Sequence, residues 1–243
     1  MNLQEELSKL AQDFQQQAPP EAQNAFLGLV TGLKKSDIVH QGPKVGESIT
    51  DFSLRNIYKD TSVGDRIKDF SLPNPWGEVI SLSEVLKEGP VVLNFYKGNW
   101  CPYCNVELRA LQLALPRFRK LGANLVAISL EKPDETLKTL NQHDLSFIVL
   151  SDVDGRVAKQ FKIIYEAPKF SGMMRDLFQT DIAAHNGSDI ARSIIPATYV
   201  IDTDFTVRFA FLDEDFTRRA DIEEIIAALG DIRDDRTTPA AAS

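Results

Sequence analysis

Two cysteines three positions apart, Cys101 and Cys104, are the only ones in a chain of 243 residues, and they constrain it more than any other feature. They lie in Gly98-Asn99-Trp100-Cys101-Pro102-Tyr103-Cys104, behind the run Val91-Val92-Leu93-Asn94-Phe95-Tyr96. That run is short, β-branched and aromatic, which predicts a buried strand. Beyond the cysteines, Leu108, Leu111, Gln112 and Leu115 recur at offsets of three and four, which predicts a helix ending at Pro116. A strand that turns through Cys-x-x-Cys into a helix sets Cys101 at the helix N-cap. There the unpartnered N–H groups and the positive end of the helix dipole favour thiolate over thiol. Pro102 then takes the first helical position, where its missing N–H costs nothing, and Lys97 adds a nearby positive charge. Cys104, one turn on, faces the same way and is expected to be the more shielded of the two. Two thiols so placed can close a small disulfide and reopen it.

Composition narrows the classes. An apolar share of 43% suits one sizeable globular domain with extra elements. Two neighbouring cysteines cannot build a disulfide framework, and no apolar run follows Met1-Asn2-Leu3-Gln4-Glu5-Glu6, so a cytoplasmic protein is expected. No run of about 18 apolar residues predicts a membrane span. A net charge of −8 argues against nucleic-acid binding, and the adjacent pairs Lys34-Lys35 and Arg218-Arg219 read as solvated faces. His40, His143 and His185 have no ligand spacing, so neither a metal nor a cofactor is expected.

Residues 1–42 read as an N-terminal helical extension. Leu3, Leu7, Leu10 and Phe14 share one stripe, Ala18-Pro19-Pro20 stops it, and Phe26, Leu29, Val30 and Leu33 line a second helix. Residues 43–230 read as the main domain. It opens on an echo, Val45–Leu54 recurring as Val63–Leu72 with seven of ten positions identical. A hairpin around Asn74-Pro75-Trp76-Gly77 follows. Strands at 123–130 and 146–150 alternate with helices at 133–143 and from Asp154-Gly155 through Phe161, which implies parallel strands with crossovers. The pattern from 196 to 212 predicts an antiparallel hairpin, and 219–229 a last helix stopped at Gly230. An insertion at about 163–194 carries Phe170, Met173, Met174, Leu177 and Phe178 at helical spacing; core packing is its default reading. Residues 231–243 are expected to form a disordered tail.

Val63-Gly64, Asp69-Phe70-Ser71-Leu72, the Gly77 hairpin, the strand into Phe95-Tyr96, the cysteine heading a helix and Thr198-Tyr199-Val200-Ile201-Asp202 together resemble the peroxiredoxin-like proteins of the AhpC/TSA group. The resemblance, over about 43–229, implies an α/β thioredoxin-like fold: a mixed sheet with helices on both faces, here with an N-terminal helical hairpin. Peroxiredoxins hold peroxide with a Pro-x-x-x-Thr-x-x-Cys loop and a distant Arg. With Cys104 on the peroxidatic position, Lys97 replaces that Pro, Cys101 that Thr, and the Arg falls on Pro196. Thioredoxins and glutaredoxins fit these positions instead: an aromatic residue, Trp100, before Cys-Pro-Tyr-Cys, and Ile195-Pro196 resembling their cis-Pro before the late strand. Their buried acid is replaced by Asn94.

The expected activity is thiol–disulfide exchange, with Cys101 attacking and Cys104 resolving the mixed disulfide. Trp100, Pro102, Tyr103, Lys97, Ile195 and Pro196 would support substrate. Arg192, Arg109 and Glu107 are further candidates, Arg192 as a substitute donor and Glu107 as proton acceptor for Cys104. The alternative is a thiol-dependent peroxidase for hydrogen peroxide or alkyl hydroperoxides, and a third reading is a non-enzymatic redox sensor. The implied partners are a thiol electron donor of thioredoxin or glutathione type and a disulfide or peroxide substrate; a homodimer is a candidate assembly.

Overall fold

A computed structural model describes residues 2–36, 69–166 and 168–237. At the N-terminus, the Asn2 side chain accepts from the Gln4 and Glu5 N–H groups and caps α1 (Leu3–Gln17). Ala18 turns extended, and α2 (Pro20–Ser36) begins on a proline. Leu3 and Leu7 are buried against the helix that follows the cysteines, so this hairpin packs on its own chain. The first copy of the echo, with most of the second, lies outside the described residues. The end of the second becomes β1 (Ser71–Pro73), antiparallel to β2 (Val79–Ser81). Between them Asn74 Oδ1 accepts from Trp76 and Glu78 N–H, and Gly77 takes φ +84°, which a side chain would strain. Ser81 caps α3 (Leu82–Lys87).

The alternating part of the chain follows: β3 (Val91–Phe95), α4 (Pro102–Lys120), β4 (Asn124–Ser129), α5 (Pro133–Gln142), β5 (Ile148–Ser151) and α6 (Arg156–Gln160). The insertion holds β6 (Ile164–Glu166), α7 (Pro168–Phe178), α8 (Ile182–Asn186) and β7 (Arg192–Ile194), with β6 and β7 paired antiparallel as its neck. Then β8 (Ala197–Ile201), β9 (Val207–Leu212) and α9 (Ile222–Thr237) complete the chain. The sheet runs β5-β4-β3-β8-β9, parallel across β3, β4 and β5, with β8 and β9 antiparallel. Alternation along β3 divides the core. Val91, Leu93 and Phe95 face a cluster with α3 and α6, while Val92 and the following Tyr96 face α1, α4 and α9. Both sheet faces are covered, as parallel strands require.

Four expectations are corrected. α4 does not stop at Pro116 but runs to Lys120, because Ala114, Leu115 and Phe118 bury one face and tertiary packing outweighs the lost N–H. α9 likewise continues through Gly230, so residues 231–237 are helix rather than tail: Ile232 is buried, and Arg236 pairs with Asp202 and Arg208 with Asp235. Residues 238–243 lie outside the described part. The Ile195–Pro196 peptide is trans, not cis, with Pro196 carrying the chain straight from β7 into β8. The insertion's stripe is only partly core: Phe170 is buried, whereas Leu177 and Phe178 are exposed.

Candidate active site

β3 ends at Phe95 against the sheet's centre and delivers the chain to a tight loop whose carbonyls and N–H groups are mostly engaged. The Cys101 N–H donates to Gly98 O at 3.0 Å, the Asn105 side chain to Asn99 O at 2.8 Å, and the Asn99 N–H to both oxygens of buried Glu131 at 3.0 and 3.1 Å. Gly98, at φ +150°, lies where a Cβ would come within 2.6 Å of Glu131 Oε1 and Trp100 Nε1. Cys101 is the N-cap of α4 and Pro102 its first residue. Both cysteines are free thiols, each within the other's electrostatic influence.

Burial raises the Cys101 thiol, but the Cys104 thiol, the Lys97 and Arg219 charges and the Cys104 N–H outweigh it and bring it down to about 6. Cys104 moves the other way. Burial and the neighbouring negative charge of Cys101 hold it well above the ordinary thiol range. Beneath Cys104 lies a buried polar network. Its sulfur accepts from the Lys97 N–H and from Arg219 Nη2, each at 3.4 Å, and Arg219 Nε meets Glu107 Oε2 at 2.6 Å. Asn94 Nδ2 donates to Glu107 Oε1 at 3.0 Å and to Thr198 Oγ1 at 3.1 Å. Burial pushes the Glu107 carboxyl up to about 7, against the pull of Arg219. A thiolate thus stands beside a protonated thiol, and the protonated thiol stands above a carboxyl that titrates near neutrality.

Cys104, 0% exposed, is the more shielded of the two, but Cys101 is itself buried, at 3%. Cys101 shares its cluster with Leu3, Leu7 and Tyr103, and Trp100 and Phe26 pack against that cluster. Phe216, from the segment between β9 and α9, has its ring 4.5 Å from Phe26, 6.4 Å from Tyr103 and 6.4 Å from Phe170 of α7. The hairpin, the insertion and the β9–α9 segment therefore meet in one aromatic cover. Lys97 lies under it, 2% exposed, with Nζ 3.4 Å from the Phe216 ring centre.

The other sequence candidates divide. Lys97, Trp100, Tyr103 and Glu107 come together with the cysteines, Tyr103 buried and Trp100 half-buried. Pro102 is exposed. Arg109 points to solvent, and Arg192 lies in the insertion neck 3.7 Å from Glu166, so neither reaches the sulfurs. The Ile195 N–H is taken by Ile163 O at 2.8 Å, which removes it as a free donor for an extended substrate. Arg219, read from sequence as solvated, is the missed residue: 3% exposed and bonded to Cys104. Its signal was the apolar company of Phe216, Ala220 and Ile222, which predicts a turned-in segment. Among the described residues no His, Cys, Asp and Glu cluster could hold a metal, and no helix is long and apolar enough to cross a membrane.

A central strand feeding a Cys-x-x-Cys helix N-terminus, with β8 antiparallel beside it, defines a protein of the thioredoxin-like fold class. The model of the AhpC/TSA family matches residues 63–210, and the chain belongs to that family. It is 29% identical over 190 residues to a putative peroxiredoxin of Mycobacterium tuberculosis, covering 78% of this chain and 98% of that one. It is 32% identical over 136 residues to the thiol-disulfide oxidoreductase ResA of Oceanobacillus iheyensis, covering 56% of this chain and 61% of that one. The chain thus spans about three fifths of that relative, and 50% of the ResA of Bacillus cereus. Among solved structures it resembles peroxidoxin BcpB of M. tuberculosis, with a TM-score of 0.53, 27% identity, and coverage of 68% of this chain and 93% of that one.

Proposed function

We propose that this protein is a thiol oxidoreductase that cycles Cys101 and Cys104 between dithiol and disulfide, with thiol–disulfide exchange as its main reaction. The observation that carries this reading is the unequal setting of two neighbouring thiols: Cys101 caps α4, where its thiol is brought down to about 6, while buried Cys104 accepts from the Lys97 N–H and Arg219 and is held well above the ordinary thiol range. At neutral pH the Cys101 thiolate attacks a substrate sulfur and forms a mixed disulfide. Cys104 must then lose its proton, and Glu107, about half ionised near pH 7, is positioned beside Arg219 to accept it. Cys104 displaces the substrate thiol, and an external thiol donor of thioredoxin or glutathione type restores the pair. Similarity to ResA supports the exchange chemistry. A compartment that keeps thiols reduced, the cytoplasm, suits such a cycle.

Peroxide reduction is the second reading, and one observation favours it. Arg219 reaches the Cys104 sulfur at 3.4 Å, supplying from the β9–α9 segment the donor that the sequence lacks at Pro196. Similarity to peroxiredoxins points the same way. Wild type, Cys101→Ser and Cys104→Ser proteins, assayed with a small protein disulfide, hydrogen peroxide and an alkyl hydroperoxide, separate the two. Exchange as the main reaction requires Cys101→Ser to abolish turnover of the disulfide. Native initial peroxide consumption in Cys101→Ser, lost in Cys104→Ser, transfers the nucleophile to Cys104 and makes the peroxidase reading correct.

A further inference from the structure

Lys97 has a fully buried ammonium with no hydrogen-bond partner and no ion pair to a carboxylate among the described residues. Three rings surround it, with centres at 3.4 Å (Phe216), 5.7 Å (Phe170) and 5.9 Å (Tyr165). Such rings stabilise a cation. Burying an unpaired charge costs more than ring contacts return, so rings alone do not hold it there. Arg219 is positive and already paired with Glu107. The remaining anion is the Cys101 thiolate, whose ionisation the Lys97 charge favours.

That pairing exists in one redox state only. In exchange with R–S–S–R′, the Cys101 thiolate bonds to one sulfur and the other leaves as R′–S⁻, which takes up the Cys104 proton after Glu107 has accepted it and passed it on. The Cys104 thiolate then bonds to Cys101 and releases R–S⁻. Two electrons pass to the substrate, and the site's negative charge leaves with R–S⁻. The disulfide is neutral, so the ammonium remains under its aromatic cover with no counter-ion.

We propose that Lys97 is a positioning residue that sets the redox poise of the pair: it stabilises the reduced dithiol and so makes the disulfide a better oxidant. This rests on the dithiol cycle proposed above and adds its direction. Raising the energy of the disulfide favours donation of that disulfide to other thiols.

The test equilibrates full-length wild type, Lys97→Met, Lys97→Arg and Phe216→Ala proteins with graded ratios of reduced and oxidised glutathione. The Cys101–Cys104 disulfide is measured by mass after acid quenching. Lys97→Met shifts the equilibrium at least fivefold towards the disulfide, a potential about 20 mV lower. Lys97→Arg restores at least half of that shift. Phe216→Ala, which hydrates the ammonium without removing it, shifts the equilibrium the same way but less. A Lys97→Met shift below fivefold, a Lys97→Arg protein behaving like Lys97→Met, or an unmoved Phe216→Ala protein overturns the proposal. Should wild type form no disulfide at any ratio, the dithiol cycle itself falls, and this inference with it. Should Lys97→Met not fold, Phe216→Ala decides alone.

Discussion

Cys101 and Cys104 differ in what touches their sulfurs, and that difference predicts a pH profile. Alkylation of Cys101 by iodoacetamide should rise with a midpoint near pH 6, against 9.0 for an unperturbed thiol, and level off above it. A midpoint above pH 8 contradicts the placement of Lys97 and Arg219. The same depression links to stability. Between about pH 6 and 9 the unfolded thiol binds more protons than the folded one, so this group adds stability as pH rises through that window and loses it as pH falls through 6. Glu107 has the opposite sign: raised from 4.5 to about 7, it binds more protons when folded, so its contribution declines as pH rises through that interval. Replacing Glu107 with Leu strands a buried guanidinium and should cost about 3 to 5 kcal/mol in urea unfolding, while Arg117→Ala, on an exposed pair, should leave unfolding unchanged. The place of both cysteines at the head of a helix, Lys97 before them and Glu107 on that helix were legible in the sequence, because each follows from spacing along one element. Arg219 was not, because its partner is 112 residues away and only tertiary folding brings the two together.

At the scale of elements, what holds α4 to the sheet also aims the sulfurs. The loop before it is clamped by Glu131, two residues beyond β4, and Gly98 is the residue that lets backbone and carboxylate approach. Gly98→Ala should therefore lower stability by more than about 1 kcal/mol and slow Cys101 alkylation, measured side by side with wild type. An alanine that is neutral in both shows that the loop does not need the glycine. The strands of the five-stranded sheet, the parallel order of β3, β4 and β5 and the β8–β9 hairpin could be read from β-branched runs and turn residues, whereas β6 and β7 of the insertion could not. The far ends of α4 and α9 could not, since Pro116 and Gly230 signal a stop that packing of Phe118 and Ile232 overrides. Ile232→Ala tests that reading at the end of α9: removing its buried side chain should cost about 2 to 5 kcal/mol in denaturant unfolding. A loss below 0.5 kcal/mol would show that the last turns of α9 contribute little.

For the whole molecule, the two segments that a minimal thioredoxin-like domain lacks converge on the same end of the sheet as the cysteines. α2 packs on α7, and Phe26 and Phe170 both meet Phe216. The amphipathic stripes announced two apolar faces in search of a surface; that they meet over the two cysteines needed the three-dimensional structure. Phe26→Ala should thin this cover and raise the rate of Cys101 alkylation at constant pH, with unchanged or slower alkylation arguing that the hairpin serves the core alone. The central claim remains that Cys101 attacks and Cys104 resolves. Its most direct measurement is peptide mapping by mass after exposure of Cys104→Ser and Cys101→Ser proteins to oxidised glutathione at neutral pH. The account predicts a glutathione adduct that accumulates on Cys101 in the first protein and none on Cys104 in the second. An adduct on Cys104 of the second protein, with Cys101 of the first left unmodified, would contradict it.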